Sequence, residues 1–175
     1  DAKDKLTILQ RSTATLDTVF TLLSSLTLGR KTYLVLFQNN NELRATGGFM
    51  GTYGAFTINN GTIEKTHVSS IYDLDGQLQE QIAPPHPLRV LNGQWFLRDS
   101  NWFFDFRQSA EVISSFYEKE GGETPDVIMA MTPQIITDLL DVTGPISMTK
   151  YGVVLTTDNF VEETQLATSI TYDKA

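Results

Sequence analysis

The chain has 175 residues, 41% of them hydrophobic, which is enough to close one core and too few to argue comfortably for two. Its formal charge of -8 describes an acidic surface that repels duplex DNA and anionic lipid headgroups, and no run of Lys or Arg compensates, so nucleic acid is not an expected partner. With no cysteine, disulfides, thiolate metal sites and cysteine nucleophiles are excluded.

No stretch reaches the eighteen apolar residues of a membrane span, and no basic segment leads into an apolar run as in a signal peptide. The chain opens in mid-pattern at Asp1 and stops at Ala175 straight after a helix-like stretch. It therefore reads as an excerpt of a longer protein, truncated at its C-terminus, with any membrane anchor in a segment absent here.

From Lys5 to Leu28, Leu6, Ile8, Leu9, Leu16, Val19, Phe20, Leu22, Leu23 and Leu26 recur at helical spacing, and Gly29 stands where a C-terminal cap belongs. Residues 1–30 thus form an expected N-terminal amphipathic helix, and 31–175 an expected single α/β domain. Thr32 to Gln38 is an apolar, β-rich run suited to a strand buried on both faces. Asn39 to Gly48 is a polar, glycine-ended loop leaving its carboxyl end. Phe49 to Ile58 and Thr62 to Ser69 flank Asn59-Asn60-Gly61 as a hairpin.

Ile71 to Leu97, with its proline cluster Pro84-Pro85-His86-Pro87, reads as an irregular excursion, and long loops of this kind often carry function. Gln108 to Glu118 is an expected helix closed by Gly121-Gly122. Asp126 to Met131 is a short buried strand. Thr132-Pro133 opens a helix that runs through Leu140 and ends at Gly144-Pro145. Pro145 to Met148 and Gly152 to Leu155 form a last pair, leading into a helix capped by Thr157 or Asp158. Strands alternating with helices imply an α/β fold with a mixed central sheet flanked by helices.

Three segments carry candidate chemistry. The loop from Asn39 to Gly48 sits at a strand exit, where open α/β sheets place ligands. There Arg44 can grip a phosphate with two parallel hydrogen bonds while Gly47-Gly48 lets backbone amides approach the same oxyanion. The same residues also suit a plain turn with a surface arginine. Asp73 and Asp75 flank one leucine, so in an extended or turn conformation both carboxylates can face one side and chelate Mg²⁺, although for these residues standing alone a solvated turn is the commoner meaning.

The run from Arg98 to Phe106 mixes charge, amide and aromatic groups as a site wall does. Arg98 can hold phosphate, Asp99 or Asp105 can bind metal or take a proton, and the aromatic rings can line a slot. Alternatively Asp105 or Ser109 caps the helix, Arg98 pairs with a carboxylate, and Trp102 and Phe104 enter the core. His67 and His86 read as structural. No serine elbow and no zinc-spaced histidines occur, against a serine hydrolase or a zinc enzyme.

The run YLVLFQNNNELRATGGFMGTYG, then Asp73-Leu74-Asp75-Gly76, Arg98-Asp99-Ser100-Asn101-Trp102 and Leu140-Asp141-Val142-Thr143-Gly144-Pro145, resembles the bacterial family catalogued as domain of unknown function 4012, over roughly Lys31 to Ala175. That family is in turn similar to the LytR-CpsA-Psr proteins. These are membrane-anchored enzymes that work outside the cytoplasmic membrane and transfer glycopolymers from a polyprenyl pyrophosphate carrier to the cell wall, using arginines, aspartates and Mg²⁺. The resemblance implies their type of mixed sheet.

In that comparison Tyr33 to Phe37 looks like the first core strand, and Arg44 with Thr46 looks like the arginine and threonine after it. Asp73 stands near the place of an arginine-aspartate pair. Tyr72 takes the place of that pair's arginine, and Ala45 replaces the aspartate beside the first arginine. Arg98 and Asp99 then supply the missing groups from another loop. The implied site has Arg44, Asp73, Arg98 and Asp99 in catalysis, Asn40, Thr46, Asn101 and Trp102 on the substrate, and Asp73 with Asp75 on Mg²⁺.

Two functions follow as expectations. One is a Mg²⁺-dependent phosphotransferase or pyrophosphate-cleaving enzyme acting on polyprenyl-linked glycopolymer precursors of the envelope. The other is a non-catalytic envelope module binding polysaccharide or protein. Convergence of Arg44 and Arg98 on an apolar cleft favours the enzyme; their separation, or their neutralisation by Glu42 and Asp105, favours the module.

Overall fold

A computed structural model describes residues 17–18, 20–21, 24–90, 92–164 and 166. The expected helix from Lys5 to Leu28 lies largely outside them, and its described end, 24–27, is helical. The central strand β1 (Arg30–Asn39) pairs antiparallel with β2 (Phe49–Asn59), which pairs antiparallel with β3 (Thr62–Ser70). On the other side β1 runs parallel to β4 (Val127–Met131), giving a four-stranded mixed sheet in the order β3-β2-β1-β4. Neighbours on both sides explain why Tyr33, Leu34, Val35 and Leu36 are buried as an unbroken run rather than alternating.

Asn60 and Gly61 both take positive φ in the two-residue turn between β2 and β3, the geometry whose twist matches the strands it joins. The stretch after β3 is more ordered than its composition suggests. Ser70 accepts a hydrogen bond from the Tyr72 amide at 3.3 Å and opens a short helix, α1 (Ile71–Asp75), while Ile71 and Leu74 face the core at helical spacing. Two 3₁₀ turns follow, His86–Val90 and Leu97–Asp99.

Helix α2 (Phe106–Lys119) starts at Asp105, whose side chain accepts from the Arg107 amide at 2.8 Å. It buries Ser109, Ile113, Phe116 and Tyr117, one stripe against the sheet. The core there joins Leu34, Leu36, Met50 and Tyr53 of the sheet to Ile71, Leu74 and Leu97. Helix α3 (Pro133–Thr143) has Pro133 in its first turn and ends at Gly144, whose φ is 81°. Strands β5 (Ile146–Met148) and β6 (Val153–Leu155) form a separate two-stranded sheet. The helical residues 160–164 are capped by Thr156 rather than by Thr157 or Asp158. Thr156 and Asn159 exchange side-chain and backbone hydrogen bonds, a reciprocal cap the two later residues cannot form.

Candidate functional site

The carboxyl end of β1, the loop behind it, α1 and the 3₁₀ turn Leu97–Asp99 meet at one end of the sheet. The loop returns so tightly that a Cβ on Gly48 would lie 2.5 Å from the Asn39 carbonyl oxygen. Asn101 fastens it from outside, donating from Nδ2 to Thr46 Oγ1 at 2.9 Å and to the Gly48 carbonyl at 2.9 Å. Gln38 Nε2 donates to the same Thr46 oxygen at 2.6 Å. Asn101 is 1% exposed, so two separated sequence segments are locked together by a buried amide.

Above this base the two arginines converge. Arg44 Nη2 lies 2.7 Å from Glu42 Oε1 and 3.7 Å from Asp99 Oδ1. Arg98 Nη1 lies 2.7 Å from Asp75 Oδ2, and its Nε lies 3.7 Å from Asp99 Oδ2. Asp99 therefore stands between the guanidiniums, one oxygen toward each. The arginines also stack on rings, Arg44 over Phe49 at 5.2 Å and Arg98 over Phe96 at 4.2 Å and Tyr72 at 5.4 Å. The expected neutralisation of Arg44 by Glu42 is present. Asp105 caps α2 instead, and Asp75 takes its expected part against Arg98.

The helical form of α1 corrects the expectation that Asp73 and Asp75 face one side. Residues two apart on a helix point about 200° apart, so Asp75 is buried against Arg98 while Asp73 is exposed and accepts from Ser69 Oγ at 2.5 Å. Asp75 turns both oxygens to Arg98, one to its amide at 3.4 Å. The pair does not fit a Mg²⁺ chelate, and among the described residues no three His, Asp or Glu side chains gather in a way that could hold a metal ion.

Asn40 is exposed and Trp102 half-buried, and neither hydrogen-bonds to Arg44, Arg98 or Asp99. His67 Nε2 lies 3.1 Å from the Tyr53 hydroxyl, a contact between neighbouring strands. A shallow cleft with Ile82, Trp95, Val112 and Phe116 on its floor and Glu80, Glu111, Ser115 and Lys119 around it adjoins the turn, where Trp95 Nε1 donates to the Asp99 carbonyl at 3.1 Å.

Glu120 is not among the residues the sequence singles out; it stands between the expected helix and the Gly121-Gly122 that closes it. It is 1% exposed, and no hydrogen bond of ordinary geometry reaches either carboxyl oxygen. Burial, then the negative charge of Asp75, pushes its pKa up to about 8, only partly offset by the Leu97 amide and Arg98. Asp75 is likewise raised, chiefly by burial, despite Arg98. Only the fold, which seats the end of α2 beneath this turn, could have revealed Glu120.

The family described as protein of unknown function DUF4012 matches residues 29–167, which include every one of these residues. The chain belongs to that family. The match takes in the whole sheet, α1 to α3 and the arginine pair, so the DUF4012 domain carries its candidate site on a loop, a short helix and a 3₁₀ turn at the end of β1. Neither curated proteins nor solved structures gave a match.

Proposed function

We propose that this chain is an extracytoplasmic cell-envelope module, related to the LytR-CpsA-Psr phosphotransferases, that binds the phosphate-bearing end of a polyprenyl-linked glycopolymer precursor between Arg44 and Arg98. The observation that carries the proposal is the approach of two part-exposed guanidiniums to a single carboxylate, each 3.7 Å from an oxygen of Asp99. A planar guanidinium at the carboxyl end of a strand is well suited to phosphate recognition. The apolar floor of the neighbouring cleft, Ile82, Trp95, Val112 and Phe116, offers a wall for the lipid part of such a precursor, within a rim of Glu80, Glu111, Ser115 and Lys119. Location outside the cytoplasmic membrane, and attachment through a segment beyond this chain, rest on the resemblance and belong to the same proposal.

Binding is favoured over transfer by charge. Glu42, Asp75 and Asp99 surround Arg44 and Arg98, three carboxylates against two guanidiniums, and each arginine gives its shortest contact to a carboxylate. Transfer needs cations aimed at charge that develops in the transition state. A second reading, the Mg²⁺-dependent phosphotransferase or pyrophosphate-cleaving enzyme, is favoured by one feature. Asp99, with a side chain 13% exposed beside both arginines, stands where a base for an acceptor hydroxyl belongs.

Calorimetry with polyprenyl phosphate and pyrophosphate analogues, with and without Mg²⁺, tests the proposal on the unmodified chain, Arg44→Ala and Arg98→Lys, the last retaining a cation against Asp75. Binding without Mg²⁺, weakened roughly tenfold in Arg44→Ala, is the expected result. A folded chain that binds neither analogue refutes it. Binding that requires Mg²⁺ and leads to cleavage of the carrier moves the assignment to the enzyme.

A further inference from the structure

We infer that Asp99 is a built-in competitor for the ligand: its carboxylate occupies the position between Arg44 and Arg98 that a single compact oxyanion, one phosphate group of that ligand, takes on binding. The inference rests on the proposal of a phosphate site and adds what controls it. Asp99 directs Oδ1 toward Arg44 Nη2 and Oδ2 toward Arg98 Nε, both at 3.7 Å, the two-oxygen bridge that a phosphate would make between the same donors. Charge-assisted N–H···O bonds close to about 2.7–2.9 Å, so Asp99 fills the position without completing either bond.

The donors it leaves are real. Arg98 makes one side-chain hydrogen bond, from Nη1 to Asp75, leaving Nε and Nη2 available, and Arg44 Nη2 is hydrogen-bonded to Glu42 alone.

Asp99 is also held in a way that lets its side chain leave. Its backbone is fixed, the amide donating to the Phe96 carbonyl at 3.1 Å and the carbonyl accepting from Trp95 Nε1. The carboxylate itself receives one long hydrogen bond, from Asn92 Nδ2 at 3.4 Å. Rotation about the side chain therefore empties the position without unfolding the turn.

The test titrates inorganic phosphate into the unmodified chain, Asp99→Asn and the double variant Arg44→Ala/Asp99→Asn, by calorimetry at fixed ionic strength with chloride as the balancing anion. Removing a part-exposed competing charge should tighten phosphate binding in Asp99→Asn by roughly five- to tenfold, a gain abolished in the double variant. Asp99→Ser, which also removes the charge, should show the same gain. If the unmodified chain binds phosphate and both Asp99 variants bind it equally or more weakly, the competitor role is overturned and the phosphate site stands. If neither the unmodified chain nor the folded variants bind phosphate, both inferences fall.

Discussion

Replacing Glu120 with glutamine should flatten the dependence of stability on pH. The wild-type carboxyl, about 4.5 when unfolded, is pushed to about 8 in the folded chain by burial and by Asp75, so between those values the folded state holds a proton the unfolded state has lost. The stability this proton contributes is fully present below pH 4.5 and declines as pH rises until about 8. At about 1.4 kcal/mol per unit, the three units from pH 5 to pH 8 correspond to a loss of about 4 kcal/mol. The amide introduced by Glu120→Gln does not ionise, so the variant should lack this decline and keep only what Asp75 contributes, whose carboxyl is also raised. Urea unfolding followed by tryptophan fluorescence at pH 5, 6, 7 and 8 measures it. The variant should be the more stable protein at pH 8 and lose that advantage at pH 5. Parallel curves for the two proteins would refute the reasoning, because they would mean Glu120 titrates as an ordinary exposed acid.

Arg98→Ala should destabilise the chain by about 3 kcal/mol or more, since it strands the buried Asp75 carboxylate, and chemical denaturation at pH 7 reads the loss. Gly48→Ala places a Cβ 2.5 Å from a backbone oxygen with no side chain to yield, so the loop must open; a markedly lower Tm and weakened phosphate binding together are expected. Asn101→Leu removes the donor shared by Thr46 and Gly48 and should cost about 2 kcal/mol, measured by denaturation, with Asn101→Asp failing to restore it because a carboxylate cannot donate.

Much of the sheet was legible because its signals are local. The run Tyr33 to Phe37 is apolar without alternation, which only a strand covered on both sides explains, and Asn60-Gly61 admits few turns other than the one seen. The short helix α1 was missed because its five residues carry two aspartates and too little periodicity, while its cap, Ser70, and its anchors, Ile71 and Leu74, take meaning only against the core. That error also misdirected the metal expectation, since one change of backbone conformation turned two neighbouring carboxylates from a pair into opposites. Within the site, Arg44 and Arg98 could be singled out by type and position. So could Glu42, two residues from Arg44, but the pairing of Asp75 with Arg98 could not, because the excursion's return brings them together across 23 residues, and Glu120 joins them from the far end of α2.

The central claim, that Arg44 and Arg98 form one anion site, is tested most directly by following the arginine Nε–Hε signals in ¹⁵N-labelled protein during titration with a polyprenyl phosphate analogue. The signals of Arg44 and Arg98 should move together along a single binding curve while those of Arg30, Arg89 and Arg107 stay in place. Saturation that leaves the Arg44 and Arg98 signals unmoved would contradict the account.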